Sequence, residues 1–477
     1  MQANIIVYDV GSTYTKLTAF WLAEGVLDFV ARAQALTTID DIEIGVLAAK
    51  QALALKKVEV CRDAAAFSTS SAAGGLRMVA LGYMPRVTAK AAKEVAMSAG
   101  ARVLEIVSCE DLPEFRLQVL REIKPDIVLL AGGTDGGDQD SMLENARIIV
   151  KSNSSAVIII AGNKNAQGEV AEILTSAGVA NIRVPNVMPT IHELKVKPAR
   201  EAIHEQFIKQ ITMAKGLNKL LNVVSDKKVT PTPGAVLLGA ELLAKGTFAQ
   251  EGIGDILVID IGGATTDIHS VMPGLEKLTI EEKGLVINNE KQPSYRTVEG
   301  NLGLRVSATG IVETIGPTGV LTKIGYKGAE LEQQLIDYAV FLEKNPGHIS
   351  HSPLEKDFDL ALAICAIEVA LKRHAGYISQ EFNPVMGIIP GIPIGRDLRR
   401  VKYVFAVGGL FTHRTPEEKQ FVVKQAFKNP GISLLPIEPV FIFDEQYLLY
   451  SIGVLGQKYS DVSLQFAKKH FKIEKEV

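Results

Sequence analysis

β-branched and aromatic residues fill 4–9 and 15–22, with Gly11-Ser12-Thr13 between them, and Gly25 turns the chain into 26–33. This pattern predicts a hairpin followed by a third strand. Helical periodicity follows at about 40–57, then a short apolar run, Ala64 to Phe67, ending in Ser68-Thr69-Ser70-Ser71. Thr88 to Gly100 reads as an Ala-rich helix whose last glycine suits a left-handed cap. From about 103 to 185 continuous apolar runs alternate with helical patterns, among them 126–131, 141–150 and 156–161. Strands of that kind belong to a parallel sheet covered on both faces. An apolar helix at about 233–245 then leads to a second β-rich run. Further on, Ser352-Pro-Leu-Glu355 is a capping box opening a helix to about His374, with Gly376 just past it. Residues 401–407 form a strand entering Gly408-Gly409, and Thr415-Pro-Glu-Glu418 caps another helix. Asp444-Glu-Gln-Tyr starts a last helix whose Gly453 and Gly456 admit close approach of a neighbouring helix.

One pattern occurs twice. Asn4-Ile-Ile-Val-Tyr-Asp-Val-Gly-Ser-Thr-Tyr-Thr-Lys16 is echoed by Asp255-Ile-Leu-Val-Ile-Asp-Ile-Gly-Gly-Ala-Thr-Thr-Asp267. Asp9 aligns with Asp260, Gly11 with Gly262 and Thr15 with Thr266. The expected fold is α/β, with two related domains facing one another across a shared ligand.

Composition narrows what that ligand can be. At 477 residues the chain exceeds one ordinary core. Its 51 basic and 54 acidic residues nearly cancel without a dense basic run, so no nucleic-acid partner is expected. Cys61, Cys109 and Cys365 lie far apart, which fits a reducing cytoplasm and argues against zinc or iron–sulfur ligation. No signal peptide and no membrane span are expected.

A phosphate chain needs backbone N–H groups pointed at it, and Gly11, Gly262 and Gly263 let the backbone come that near. Ser12, Thr13, Thr15, Thr265 and Thr266 add hydroxyl donors, and Lys16 adds positive charge. Magnesium takes one or two carboxylates plus phosphate oxygens, often through water, and Asp9 and Asp260 suit that role. Two clamping turns with two carboxylates are adequate for phosphoryl chemistry, which depends mainly on positioning and charge neutralisation. Asp-x-Gly at a strand end is also an ordinary hairpin turn, in which Asp bonds its own backbone. The repetition is what favours a shared nucleoside triphosphate and its metal.

The first turn resembles the phosphate-1 turn of the actin, hexokinase and heat-shock-chaperone ATPase superfamily. The second, with its closing Asp267, resembles the phosphate-2 turn. Phe405-Ala-Val-Gly-Gly-Leu-Phe411 is similar to the superfamily's adenosine loop, where Gly408 and Gly409 would admit base and ribose. The Gly453/Gly456 helix resembles its hinge helix. Closer still is the MutL or GlmL family of amino-acid fermentation, unrelated to the mismatch-repair protein of that name. It is similar in Val7–Lys16, Ser70–Met78, Leu129–Asp138, Pro231–Val236, Asp260–Asp267 and Val298–Gly303.

This resemblance implies two duplicated actin-like, ribonuclease H-like domains around a nucleotide cleft. The first would span 1–250, with an αβ elaboration at about 100–230, and the second 251–477. It implies an ATPase using ATP and Mg2+, with Asp9, Asp260 and Asp267 catalytic. Its partner would be an adenosylcobalamin-dependent mutase of glutamate mutase or ornithine aminomutase type, which it helps to exchange damaged cofactor. A small-molecule kinase of the same superfamily is the alternative, and an actin-like filament a third reading.

Other candidates are weaker. Gly132–Asp138 is a structural or partner-facing loop or a second anion site, its carboxylates weighing against phosphate. Ser70–Arg77 is a cleft lining or a plain loop. Asp267-Ile-His-Ser-Val-Met272 approaches a cobalamin-ligating pattern, but Met272 stands where glycine is needed, so direct cobalamin binding is not expected and His269 reads as a strand residue. His348 and His351 lack the partners of a metal site.

Overall fold

The computed structural model describes every residue except 12, 39–41, 72–76, 84–101, 191–194, 196, 197, 200, 204, 207, 208, 210–223, 226–228, 275–292, 384–386 and 474–477. The helix expected at 88–100, Ser12 and most of the Ser70–Arg77 segment therefore lie outside the described residues. The chain forms two units, one of Met1–Ala73 with Ile211–Val477, the other of Gly74–Gln210.

In the larger unit, β1 (Gln2–Val10), β2 (Tyr14–Ala23), β3 (Val26–Leu36), β4 (Glu59–Ser70) and β10 (Thr230–Pro231) form one sheet in the order β3-β2-β1-β4-β10. A second contains β11 (Ile256–Ile261), β12 (Thr266–Val271), β13 (Ser294–Glu299), β16 (Tyr403–Val407) and β17 (Val440–Phe443), in the order β13-β12-β11-β16-β17. In each sheet the first three strands are antiparallel and the last two run parallel to the first. Identical order and direction make the duplication a property of the fold as well as of the two turns.

Each sheet's last strand feeds a helix. β10 leads into α5 (Thr232–Lys245), and β17 precedes α12 (Leu449–Gly456). These helices pack on one another at Gly239 and Gly453: a Cβ at Gly453 would lie 1.9 Å from the carbonyl of Ala235, and one at Gly239 2.4 Å from that of Leu449. Only glycine permits this approach. Asp444 satisfies the start of the second helix region, accepting the amides of Leu448 (2.7 Å) and Leu449 (2.8 Å). Two helices, one from each repeat, thus share one core with Phe20, Phe405 and Leu464.

The first sheet is backed by α1 (Ile42–Leu55). Between β13 and β16 lie α6 (Ala308–Ile315), α7 (Pro317–Thr322), α8 (Ala329–Lys344), α9 (Pro353–His374) and a separate hairpin, β14 (Tyr377–Asn383) with β15 (Gly387–Ile394). The expected capping box of α9 is formed: Ser352 Oγ accepts the Glu355 amide at 3.2 Å, and Glu355 accepts the Ser352 amide at 3.2 Å. Its segment from Phe358 to Ile367 is buried on every side in the second repeat's core, where such a helix gains more from tertiary burial than from propensity. After β16 come α10 (Gly409–His413) and α11 (Pro416–Phe427), the latter with its own Thr415/Glu418 capping box. α13 (Ser460–His470) ends the described chain's helices.

The smaller unit contains β5 (Arg77–Gly82), β6 (Arg102–Ser108), β7 (Ile127–Leu130), β8 (Val157–Ile160) and β9 (Asn181–Arg183), all parallel, in the order β6-β5-β7-β8-β9. α2 (Pro113–Ile123), α3 (Asp140–Ser152) and α4 (Gln167–Ser176) supply apolar faces to its core. The continuous apolar strands of 126–131 and 156–161 belong to this parallel sheet, in keeping with burial on both faces. Among the described residues no helix is long and apolar enough to cross a membrane.

Candidate functional site: a cavity between two matching turns

The two repeated turns close in the same way. Val10 pairs with Thr15 and Gly11 N–H donates to the Tyr14 carbonyl at 3.1 Å; Ile261 pairs with Thr266 and Gly262 N–H donates to the Thr265 carbonyl at 2.8 Å. One pair inward, Asp9 lies opposite Lys16, whereas Asp260 lies opposite Asp267. Residues directly opposite in an antiparallel pair share a face, so a carboxylate meets a cation in one hairpin and a second carboxylate in the other.

The consequences are visible atom by atom. Asp9 is fully buried, and both oxygens are spent: Lys16 Nζ donates to Oδ2 at 2.8 Å, while Thr69 (2.8 Å) and Thr232 (2.6 Å) donate to Oδ1. Lys16 also sits 4.3 Å from the centre of the Tyr447 ring. Asp260 is likewise buried, and no hydrogen-bond donor engages it among the described residues. Burial, then the nearby Asp267 carboxylate, pushes its pKa up to about 7, with Lys16 and Arg296 opposing and Asp9 adding to the rise. Asp267 itself is held by Arg296 (2.6 and 2.9 Å) and Thr265 (2.9 Å).

Gly11, Thr13, Lys16, Gly262, Gly263, Gly408 and Gly409 line one cavity of about 290 Å³. The two turns meet there. A Cβ on Gly263 would lie 2.8 Å from Thr13 Oγ1, and that hydroxyl is buried with no hydrogen-bond partner among the described residues. A glycine cradle beside an unspent donor is chemistry suited to a phosphate oxygen. Thr15 and Thr266 are not on this wall. Their Oγ1 atoms bond Thr37 Oγ1 (3.0 Å) and the Leu302 carbonyl (2.6 Å), because successive strand side chains alternate faces.

The far wall holds residues that the sequence reading did not single out. Asp359 on α9, 1% exposed, receives Arg305 in a two-pronged contact (3.1 and 3.0 Å), Arg414 at 2.9 Å and the Tyr338 hydroxyl at 3.2 Å. Arg305 is fixed beside the second turn by its amide, which donates to the Gly263 carbonyl at 2.8 Å. Arg305, Asp359 and Arg414 come from segments more than 50 apart in sequence. The available signal was one carboxylate inside the otherwise apolar run of α9.

Magnesium fits this residue set only together with ligand oxygens. Among the described residues no group of three or more His, Cys, Asp or Glu side chains is arranged to hold a metal alone. Asp260 offers one uncommitted carboxylate, and Asp9 one that must first give up Lys16. His269 lies buried in β12, its pKa driven well below the usual value by burial and then by Arg296.

In the smaller unit, the Gly132–Asp138 loop spends its polar groups on its neighbours. Asn163 donates to the carbonyls of Gly137 and Asp138 (both 3.0 Å), and Asn186 binds Asp135 at 2.9 Å. Gly133 adopts φ +65°, and a Cβ there would lie 2.4 Å from the Asp138 carbonyl.

Comparison with known proteins finds similarity along nearly the whole chain. The profile of the family described as MutL protein matches residues 5–471. Protein MutL of Clostridium tetanomorphum is 37% identical over 484 residues, covering 98% of this chain and 99% of that one. Among solved structures, ethanolamine utilization protein EutJ from Carboxydothermus hydrogenoformans is 12% identical, covering 94% of this chain and 88% of its own, with a TM-score of 0.25. Xylulose kinase from Lactobacillus acidophilus is 11% identical, covering 100% and 91%, with a TM-score of 0.29.

Proposed function

The chain belongs to the MutL protein family, and from that premise we propose that it is an ATP-hydrolysing reactivating protein for an adenosylcobalamin-dependent amino-acid mutase, of glutamate mutase or ornithine aminomutase type. The observation that carries the nucleotide reading is the cavity itself. Two copies of one turn open onto it, and its lining contains five Lys or Arg side chains against one acidic residue. A polyanion is the ligand that such a wall favours.

In this reading the backbone at Gly11, Gly262 and Gly263 and the Thr13 hydroxyl hold phosphate oxygens, and Gly408-Gly409 receives the nucleoside. Lys16 turns from Asp9 toward the phosphates. Asp260, and Asp9 once released, hold Mg2+ through water, and Asp267 with Arg296 fixes the charge beside Asp260. Magnesium supplies neutralisation of the phosphate charge that develops during transfer. The protein's own contribution is to place the γ-phosphate and a water between two rigid hairpins. Residues 1–250 and 251–477 are the halves that open and close about the α5–α12 crossing, and 100–230 faces the mutase. The setting is the cytoplasm.

A small-molecule kinase is the second reading. It is favoured by the Asp260 carboxyl, whose pKa of about 7 suits a base accepting a hydroxyl proton. One experiment separates the two. The protein is mixed with a cobalamin-inactivated amino-acid mutase, ATP, Mg2+ and fresh adenosylcobalamin. Recovery of mutase activity that requires ATP is expected. No recovery with any co-expressed mutase, alongside ATP-dependent phosphorylation of a metabolite, would replace the reactivase by the kinase.

A further inference from the structure

The hydrogen-bond inventory of the far wall does not close. The Asp359 carboxylate is full: Oδ1 accepts from Arg305 and Tyr338, Oδ2 from Arg305 and Arg414. Arg305 uses its remaining N–H groups almost completely, donating to the carbonyls of His348 (3.2 Å) and Leu304 (2.7 Å). Arg414 does not. A guanidinium carries five N–H donors. Its Nη2 serves Ser350 (2.8 Å) and Asp359, while Nε and Nη1 have no hydrogen-bond partner among the described residues. Glu418 approaches Nη1 only to 4.0 Å. The side chain is 10% exposed and lines the cavity.

Charge points the same way. Arg305 and Arg414 share the one buried carboxylate of Asp359, and the further carboxylate beside Arg414, that of Glu418, is 28% exposed and comes only to 4.0 Å, so the positive charge of this wall is incompletely balanced. Such an excess is costly unless an anion completes it. The position of Arg414 is fixed from both sides: it follows α10 in extended backbone (φ −98°, ψ 157°) and immediately precedes the Thr415 cap of α11. A planar fork held this way matches two oxygens of a phosphate better than a flexible ammonium does.

We infer that Arg414 is a phosphate-recognising residue of the cavity and that Asp359 is its positioning residue, with Arg305 the second cation of the pair. This rests on the nucleotide reading of the same cavity for the identity of the ligand, but on the inventory above for its anionic character. The site therefore discriminates by phosphate content. Ligands carrying phosphate bind through Arg414; the bare nucleoside gains nothing from it.

The test is isothermal titration of ATP, ADP, adenosine and inorganic pyrophosphate into the wild type, Arg414→Gln, Arg414→Lys and Asp359→Asn. Arg414→Gln is expected to weaken ATP by about tenfold or more, as for loss of a charge-assisted hydrogen bond, and to leave adenosine unchanged. Arg414→Lys is expected to recover part of the loss, and Asp359→Asn to resemble Arg414→Gln. Should Asp359→Asn fail to fold, the two Arg414 variants decide alone. Equal weakening of ATP and adenosine, or none of either, overturns the inference. If no nucleotide binds the wild type, the nucleotide reading fails. The inference then stands only if pyrophosphate binds the wild type and is lost in Arg414→Gln; absence of pyrophosphate binding sinks both.

Discussion

The two hairpins have the same backbone and opposite electrostatics. In the first, Asp9 faces Lys16 and is neutralised within its own turn, with Thr69 and Thr232 filling the remaining acceptor positions. In the second, the place of the lysine is taken by Asp267, and Asp260 is left with no donor among the described residues and a pKa of about 7. Duplication supplied two equivalent cradles, and one pair of residues made them unequal. The first turn is complete as folded. The second is short of positive charge, which is what a magnesium ion brings.

Replacing each aspartate in turn by asparagine should give the largest contrast. Asp260→Asn is expected to lower magnesium-dependent ATP turnover by about 10²–10³-fold, as for removal of an electrostatic contact to the reacting group, with no loss of thermal stability. Asp9→Asn also impairs turnover. It additionally lowers stability by about 2–4 kcal/mol, because the carboxamide keeps one oxygen for Thr69 and Thr232 but sets an NH2 against Lys16, which loses its buried counter-charge. Thermal melts beside steady-state turnover check both; a matching stability loss in the two variants would remove the asymmetry.

A smaller effect comes from making the second hairpin like the first. Asp267→Lys combined with Arg296→Gln puts a cation opposite Asp260 and removes the arginine left unpaired. The magnesium concentration for half-maximal binding of ATP is expected to rise about tenfold, a change of roughly 1.4 kcal/mol. An unchanged magnesium requirement would show that Asp260 is not the metal's anchor.

The hydroxyls offer a finer contrast. Thr13 Oγ1 is unspent, whereas Thr265 Oγ1 already donates to Asp267 at 2.9 Å. Thr13→Val should weaken ATP by about threefold to tenfold and Thr265→Val by less than about twofold, given the usual worth of one hydrogen bond. Titration calorimetry distinguishes them, and equal losses would contradict the assignment.

The smallest signal is in pH. Asp260 carries a folded pKa of about 7 against an ordinary 3.8, so between these values the folded state holds a proton that the unfolded state has lost. Its contribution to stability is therefore largest below about pH 4 and disappears as pH rises through 7. The melting temperature of the nucleotide-free wild type should fall by a few degrees between pH 5 and 8, and that part of the slope should be absent in Asp260→Asn.

Much of this was legible in the chain. The repeated strand–Asp–Gly pattern located both hairpins, since each is local and its turn residues are contiguous. The capping boxes at Ser352 and Thr415 marked two helix starts, since cap chemistry sits within four residues. The β14–β15 hairpin was not read, because Pro390 and Pro393 argue against a strand unless it lies at an edge. The roles open to Thr15 and Thr266 depended on which face of a strand each occupies. One register step separates them from the aspartate face, and sequence identity alone does not fix that. The Arg305–Asp359–Arg414 cluster was invisible, since only tertiary packing brings β13's following loop, α9 and the α10–α11 junction together.

On the proposed function, the cavity between the matching turns takes a metal–nucleotide complex whose metal is anchored by the second turn. Equilibrium dialysis against Mn2+ and ATP, with protein-bound Mn2+ counted by electron paramagnetic resonance, tests it most directly. One ATP-dependent Mn2+ per chain is expected in the wild type, retained at reduced affinity in Asp9→Asn and lost in Asp260→Asn. No ATP-dependent Mn2+ in the wild type, or wild-type retention in Asp260→Asn, would contradict an Asp260-anchored metal in this cavity.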